Sequence, residues 1–181
     1  MPLGTLALPL GSVLTGQPEV IAQTVLTATA NQIRVEFPPV YRAIQLSMRA
    51  TNGGADLIRT QFRLNNDSGA NYQIAGLDSS GTSSWADSAL ANQTSIFNSG
   101  VLGGILTPQA LITKSAASVP AQYVDVMSGR STGSDISLGH LSAQWTNTTE
   151  LLTRIDVFAT FFTPARLFGV GTSLTLWGYR L

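Results

Sequence analysis

Apolar and polar residues alternate with a period of two along most of this chain. Residues 20–37, "VIAQTVLTATANQIRVEF", are rich in Val, Ile and Thr, and Gln32 to Phe37 alternate strictly. Pro38-Pro39 ends the run, because proline cannot donate to a ladder and restricts its predecessor. In 41–51, Ile44, Leu46, Met48 and Ala50 oppose Gln45, Ser47 and Arg49, and Asn52-Gly53-Gly54 then turns the chain. In 57–65, Ile58, Thr60, Phe62 and Leu64 share one face, with Arg59, Gln61 and Arg63 on the other. Alternation returns in 121–129, where Tyr123, Asp125 and Met127 oppose Val124 and Val126. It continues in 135–147, with Ile136, Leu138, His140 and Ser142 on one parity. Residues 150–162 set Leu152, Arg154, Asp156 and Phe158 against Leu151, Thr153, Ile155 and Val157. The last run, 167–181, sets Leu174, Leu176 and Gly178 against Thr175, Trp177 and Tyr179.

The middle of the chain breaks this rhythm. Residues 78–100 are dominated by Ser, Thr, Asp, Asn and Gly, with Trp85, Ile96 and Phe97 as isolated apolar anchors. They predict a long surface excursion with a short helix over Ser83–Gln93, capped by Ser83 or Ser84. Residues 100–116 predict one short strand. The total is about eight to ten strands separated by Gly, Asn, Ser and Pro turns, with no βαβ alternation. The expected fold is all-β, an antiparallel β-sandwich of jelly-roll type over residues 19–181. Residues 1–18 are expected to form an N-terminal arm.

Composition narrows the function. Charged residues are 11% of the chain, and ten acids balance ten bases, against a usual charged fraction near 25%. Such a chain lacks the basic face that phosphate binding requires, so no nucleic acid is expected as a partner. No apolar stretch is long enough to span a bilayer, so no membrane is expected either. The N-terminal "MPLGTLALPLGSVLTG" has no basic leader and is broken by Pro2, Pro9 and glycines, unlike a secretory signal. With no cysteine, disulfides and thiolate chemistry are excluded. A polar but uncharged surface suits a protein packed against other subunits.

Candidate chemistry centres on Phe62–Gln73, "FRLNNDSGANYQ". Asn65, Asp67 and Asn71 carry oxygens that suit calcium, but a calcium loop brings several carboxylates and this one brings a single Asp. These are also the residue types that build tight corners, with Gly69 expected to supply a positive φ. The expectation is a corner and no metal. His140 is the only histidine, and Glu19, Glu36 and Glu150 are the only glutamates. None sits in a motif for nucleophilic or paired-carboxylate catalysis, so neither catalytic residues nor a cofactor are expected. Aromatic residues can stack on sugars, but Trp145 and Trp177 lie in strands, where core packing is the default. Tyr72, Trp85, Asp67 and Asn71 remain as a candidate ligand surface. The triplets at Asn66, Asn92 and Asn147 match glycosylation acceptors, which matter only in a eukaryotic secretory route.

"FRLNNDSGANYQ", following a strand such as "YRAIQLSMRAT", resembles a run found in small jelly-roll virion proteins of tailed bacteriophages. The later order is similar too: "AQYVDVMSG", then "SLGHLSAQWTNTTELLTRIDVF", then "GTSLTLWGYRL". Trp145, Thr148 and Ile155, and then Ser173, Leu174, Leu176 and Gly178, carry the shared themes. The resemblance spans residues 20–181 and departs in the longer Ser-rich segment through Trp85 and in the arm. It implies a non-enzymatic virion component, a head-decoration or minor capsid protein, or a tail or fibre module. The implied partners are copies of the chain itself, a trimer being favoured, and the major capsid protein or other virion proteins. Leu3, Leu6, Leu8, Leu10, Val13 and Leu14 make the arm the candidate docking segment, since a free tail rarely carries such apolar density. The alternative is a tail or fibre module that recognises a host surface glycan through Tyr72 and Trp85.

Overall fold

The computed structural model of the chain describes residues 17–54, 58–80, 83–101, 105–114, 122–131, 136–147, 149–160 and 166–180. They form twelve strands: β1 (Glu19–Val25), β2 (Gln32–Glu36), β3 (Ala43–Thr51), β4 (Ile58–Leu64), β5 (Tyr72–Ser80), β6 (Ser83–Gln93), β7 (Ile96–Val101), β8 (Ile105–Lys114), β9 (Gln122–Ser131), β10 (Ile136–Trp145), β11 (Arg154–Thr160) and β12 (Ser173–Tyr179). Eight strands pair in the order β1-β12-β3-β8-β9-β10-β5-β6, and four in the order β2-β11-β4-β7. Every pairing is antiparallel.

The topology is that of a jelly roll with two insertions. β1, β2, β3, β4, β7, β8, β11 and β12 pass between the two sheets at every step along the chain except β4 to β7, which are paired neighbours in the smaller sheet. They make two four-stranded layers, β1-β12-β3-β8 over β2-β11-β4-β7, the double Greek key of that fold. The hairpins β5–β6 and β9–β10 are inserted after β4 and β8, and both extend the larger sheet. One apolar cluster joins the layers, with Ile33, Val35, Phe62, Leu64, Ile155 and Val157 on one side. Ile44, Leu46, Met48, Ile112, Val124, Val126, Leu174 and Leu176 lie on the other. At Gly178 the chain passes under Tyr41, where a Cβ would come within 2.3 Å of the ring. Only glycine fits such a close approach.

The alternation of β2, β3, β4 and β12 predicts these inward faces correctly. The middle of the chain requires correction. Residues 78–100 are not a surface excursion, and Ser83–Gln93 is the strand β6, not a helix. β6 pairs with β5 from Tyr72↔Gln93 to Ser80↔Ser83, but between Tyr72 and Gly76 it gains one extra residue at each of two bulges. Each extra residue reverses the parity of the side chains, so the period of two disappears from a strand that is nonetheless paired. Asn92, at φ 59°, lies in this irregular stretch. Ala and Ser have weak strand propensity, and pairing with β5 overrides it. Residues 100–116 hold the ten-residue β8, despite a buried proline at 108. The β3–β8 pairs stop at Ser47↔Gln109 and resume at Ala50↔Leu106, on either side of Pro108, which has no N–H to give.

Candidate functional site

The Phe62–Gln73 corner turns on two consecutive left-handed residues, Asn65 at φ 52° and Asn66 at φ 58°, a conformation asparagine tolerates better than most residues. Gly69 does not have the positive φ expected of it. It is required for space: a Cβ there would meet Asn71 Nδ2 at 2.8 Å and Asp67 Oδ1 at 3.0 Å. The Asp67 carboxylate is the hub. Oδ1 accepts from the Gly69 amide at 2.8 Å, and Oδ2 accepts from Asn71 Nδ2 at 2.9 Å and from the Trp145 indole at 2.7 Å. Burial pushes this carboxyl up, but the bonds from Trp145, Asn71 and Gly69 outweigh it and hold it below the ordinary aspartate value. Both oxygens accept N–H donors, so the carboxylate is spent on fastening the corner.

The neighbouring side chains are committed in the same way. Tyr72 is fully buried, its hydroxyl accepts from the Leu64 amide at 3.0 Å, and burial raises its pKa. Asn65 Oδ1 accepts from the amides of Thr153 and Arg154, and its Nδ2 donates to the Leu151 carbonyl. Thr146 donates both its amide and its hydroxyl to the Asn71 carbonyl. The corner therefore fastens the β4–β5 turn to the end of β10 and to the segment entering β11.

Three of the four residues expected at a ligand surface, Tyr72, Asp67 and Asn71, are thus internal fastenings. A fully buried ring cannot stack on a sugar. Trp85 lies on β6 opposite Asp78, and its side chain falls outside the described residues. So do Leu3, Leu6, Leu8, Leu10, Val13 and Leu14. Glu19 pairs with Arg180 at 2.8 Å, and Glu150 accepts from Asn65 at 3.2 Å. His140 is exposed beside Met127, and Ser142 donates to Asp125 at 2.5 Å, so these groups form no serine–histidine relay. Among the described residues, no three His, Cys, Asp or Glu side chains gather to hold a metal.

The surface that is left unused is the outer face of the larger sheet. The registers carry one level across it through Trp177, Gln45, Leu111, Asp125, Ser142 and Ala75. Flanking levels present Tyr123 with Thr113, Gln144 and Gln73, and Met127 with Gln109 and His140. Six strands near 4.8 Å apart give about 24 Å of width. Leu111, Tyr123 and Met127 are 38%, 51% and 64% exposed. Trp177 is half-buried on this face, contrary to the expected core placement, whereas Trp145 is fully buried. Asp125 carries the one full charge across these three levels, and its carboxylate already accepts from Ser142. The alternation of β9 already separates Tyr123 and Met127 from Val124 and Val126. Both sets are largely apolar, so the sequence alone does not decide which set faces outward.

Comparison with family models, with curated proteins and with solved structures gives no match.

Proposed function

We propose that this protein is a structural, non-enzymatic assembly subunit that packs the outer face of its larger sheet against neighbouring protein. The phage-like motifs favour a tailed-bacteriophage virion as the setting, as a capsid decoration or minor capsid protein that reinforces the shell and self-associates, a trimer being favoured. The observation that carries the proposal is the exposure of Tyr123, Met127 and Leu111 beside Trp177 on a broad, nearly uncharged face. Interface cores are enriched in aromatic residues and Met and depleted of charge, and contacts repeated by symmetry add modest energies into a stable assembly. Sedimentation velocity over a range of concentrations tests it. The wild-type chain should associate, and Tyr123→Ser with Met127→Gln should remain monomeric with unchanged circular dichroism. Equal association of the two proteins overturns the assignment of this face. Copy number per particle, from quantitative mass spectrometry, then separates shell from tail: hundreds of copies mean the shell, and a handful mean the tail.

A second reading draws on the same face. Tyr123 and Trp177 stand among the amides of Gln45, Gln73 and Gln144, a pairing of rings and hydrogen-bonding groups that suits a glycan. Binding on a glycan array that Tyr123→Ala abolishes would favour it over packing.

A further inference from the structure

The outer face of the smaller sheet has a different chemistry. Across β2, β11 and β4 the register sets Arg34 and Arg63 on either side of Asp156. One level away, Arg154 lies opposite Glu36. In the other direction, Phe158 lies between Gln32 and Gln61. Arg59 stands further along the same face of β4. Four of the chain's nine arginines thus share one face with two carboxylates.

Asp156 organises this face. It is fully buried, and its Oδ1 accepts from Arg154 Nη2 at 2.7 Å, from Arg34 Nε at 3.3 Å and from Gln32. One oxygen therefore serves three donors, while Oδ2 and the Nε atoms of Arg63 and Arg154 are buried without a hydrogen-bond partner. Arg63 stacks on the Phe158 ring, 5.0 Å from its centroid. Asp156, with Glu36 opposite Arg154, offsets only two of the four arginines on this face. Each guanidinium has five donors in a rigid planar fork, and the bonds above use few of them. Arg34, 52% exposed, presents its fork to solvent.

We infer that this face docks an acidic polypeptide segment of a partner protein, whose carboxylates pair with Arg34, Arg63 and Arg154. Charge complementarity selects an anion, and arginine forks match carboxylates two bonds at a time. The size of the patch selects a short peptide. Arg34 and Arg63 stand about two strand spacings, or ~10 Å, apart. That span suits two or three side-chain carboxylates, whereas a nucleic acid or an anionic polysaccharide tracks a longer basic stripe. The site is independent of the larger sheet, so it stands or falls apart from the assembly reading.

Fluorescence anisotropy with a labelled oligo-aspartate peptide at low salt tests the inference on the full chain. Saturable binding is expected, weakened about tenfold or more by Arg34→Ser with Arg63→Ser, since charge-assisted pairs are the strong ones. Arg34→Glu alone, at an exposed position, should weaken it comparably and keeps the test free of any folding effect at Arg63. Arg49→Ser, on the opposite sheet, should leave it unchanged, as should Tyr123→Ser. The inference is overturned by no binding, by equal binding of the Arg34 variants, or by a preference for an oligonucleotide or a uronic-acid polysaccharide of matched charge.

Discussion

The corner at Asn65–Tyr72 and the outer face of the larger sheet use similar residue types to opposite ends. Both are built from amides, hydroxyls, an Asp and aromatic rings. At the corner the fastening groups are spent within the protein: Asp67 accepts three N–H bonds, Asn65 accepts two and donates two, and the Tyr72 hydroxyl is buried against Leu64. On the sheet face Tyr123 and Met127 project into solvent, and the polar bonds among its described residues are few, at the Ser142–Asp125, Tyr179–Gln45 and Thr107–Gly129 pairs. A polar cluster whose bonding capacity is consumed internally holds the fold together. A surface whose capacity is left over is where a partner can be bound. Mutations should therefore separate the two regions, with stability moving at the corner and association at the face.

The largest effect should follow Asp67→Ala. It strips the indole N–H of Trp145, which is fully buried, and also frees Asn71 Nδ2 and the Gly69 amide. A buried donor left without an acceptor costs about 1–3 kcal/mol, so a loss of about 3 kcal/mol is expected in urea unfolding monitored by fluorescence. Unchanged stability would mean that the corner does not fasten the fold. Tyr72→Phe should cost about 1–2 kcal/mol, because it takes the acceptor from the Leu64 amide and the donor from the Asp67 carbonyl while keeping the buried ring. Neither change should alter self-association measured where the variant is still folded.

Acid should loosen the corner. The Asp67 pKa is depressed in the folded protein, so between its folded and unfolded values the unfolded chain binds more protons. Stability from this group is fully present above the unfolded aspartate pKa, about 4. It is lost as pH falls through the folded value. The stability difference between wild type and Asp67→Asn should thus shrink on acidification below about pH 4. A difference that is flat with pH would show that the Asp67 charge carries none of the fastening.

Local chemistry explains what was legible in the sequence. The β2, β3, β4 and β12 faces follow from alternation, because a strand between core and solvent must separate its side chains by parity. The corner follows from its short amides and glycine, although Gly69 is there for space and not for φ. β6 stays hidden because its two bulges flip parity, whereas β8 is expected in 100–116 but only as a short strand. Tyr72, a candidate for a ligand surface because it follows a polar run, is buried instead, with its hydroxyl bonded to the Leu64 amide and the Asp67 carbonyl. The arginine face was unreadable for a different reason. Arg34, Arg63 and Arg154 come from three strands far apart in sequence, and only the register against Asp156 brings them together.

The smallest stability effect should come from the sheet face, and it decides the comparison. Tyr123 and Met127 are more than half exposed, so Tyr123→Ser or Met127→Gln removes little buried area and should change folding free energy by no more than about 0.5 kcal/mol. If the face packs against a neighbour, the same substitutions strip an aromatic ring and a thioether from the centre of an interface, where a few residues carry most of the binding energy. An association constant reduced at least about tenfold is then expected beside an unchanged urea midpoint, because each ~1.4 kcal/mol of lost contact is a factor of ten. Should Tyr123→Ser instead lower stability as much as Tyr72→Phe does, the ring is serving the monomer's own packing. The face would then belong with the corner, as part of what holds the fold together.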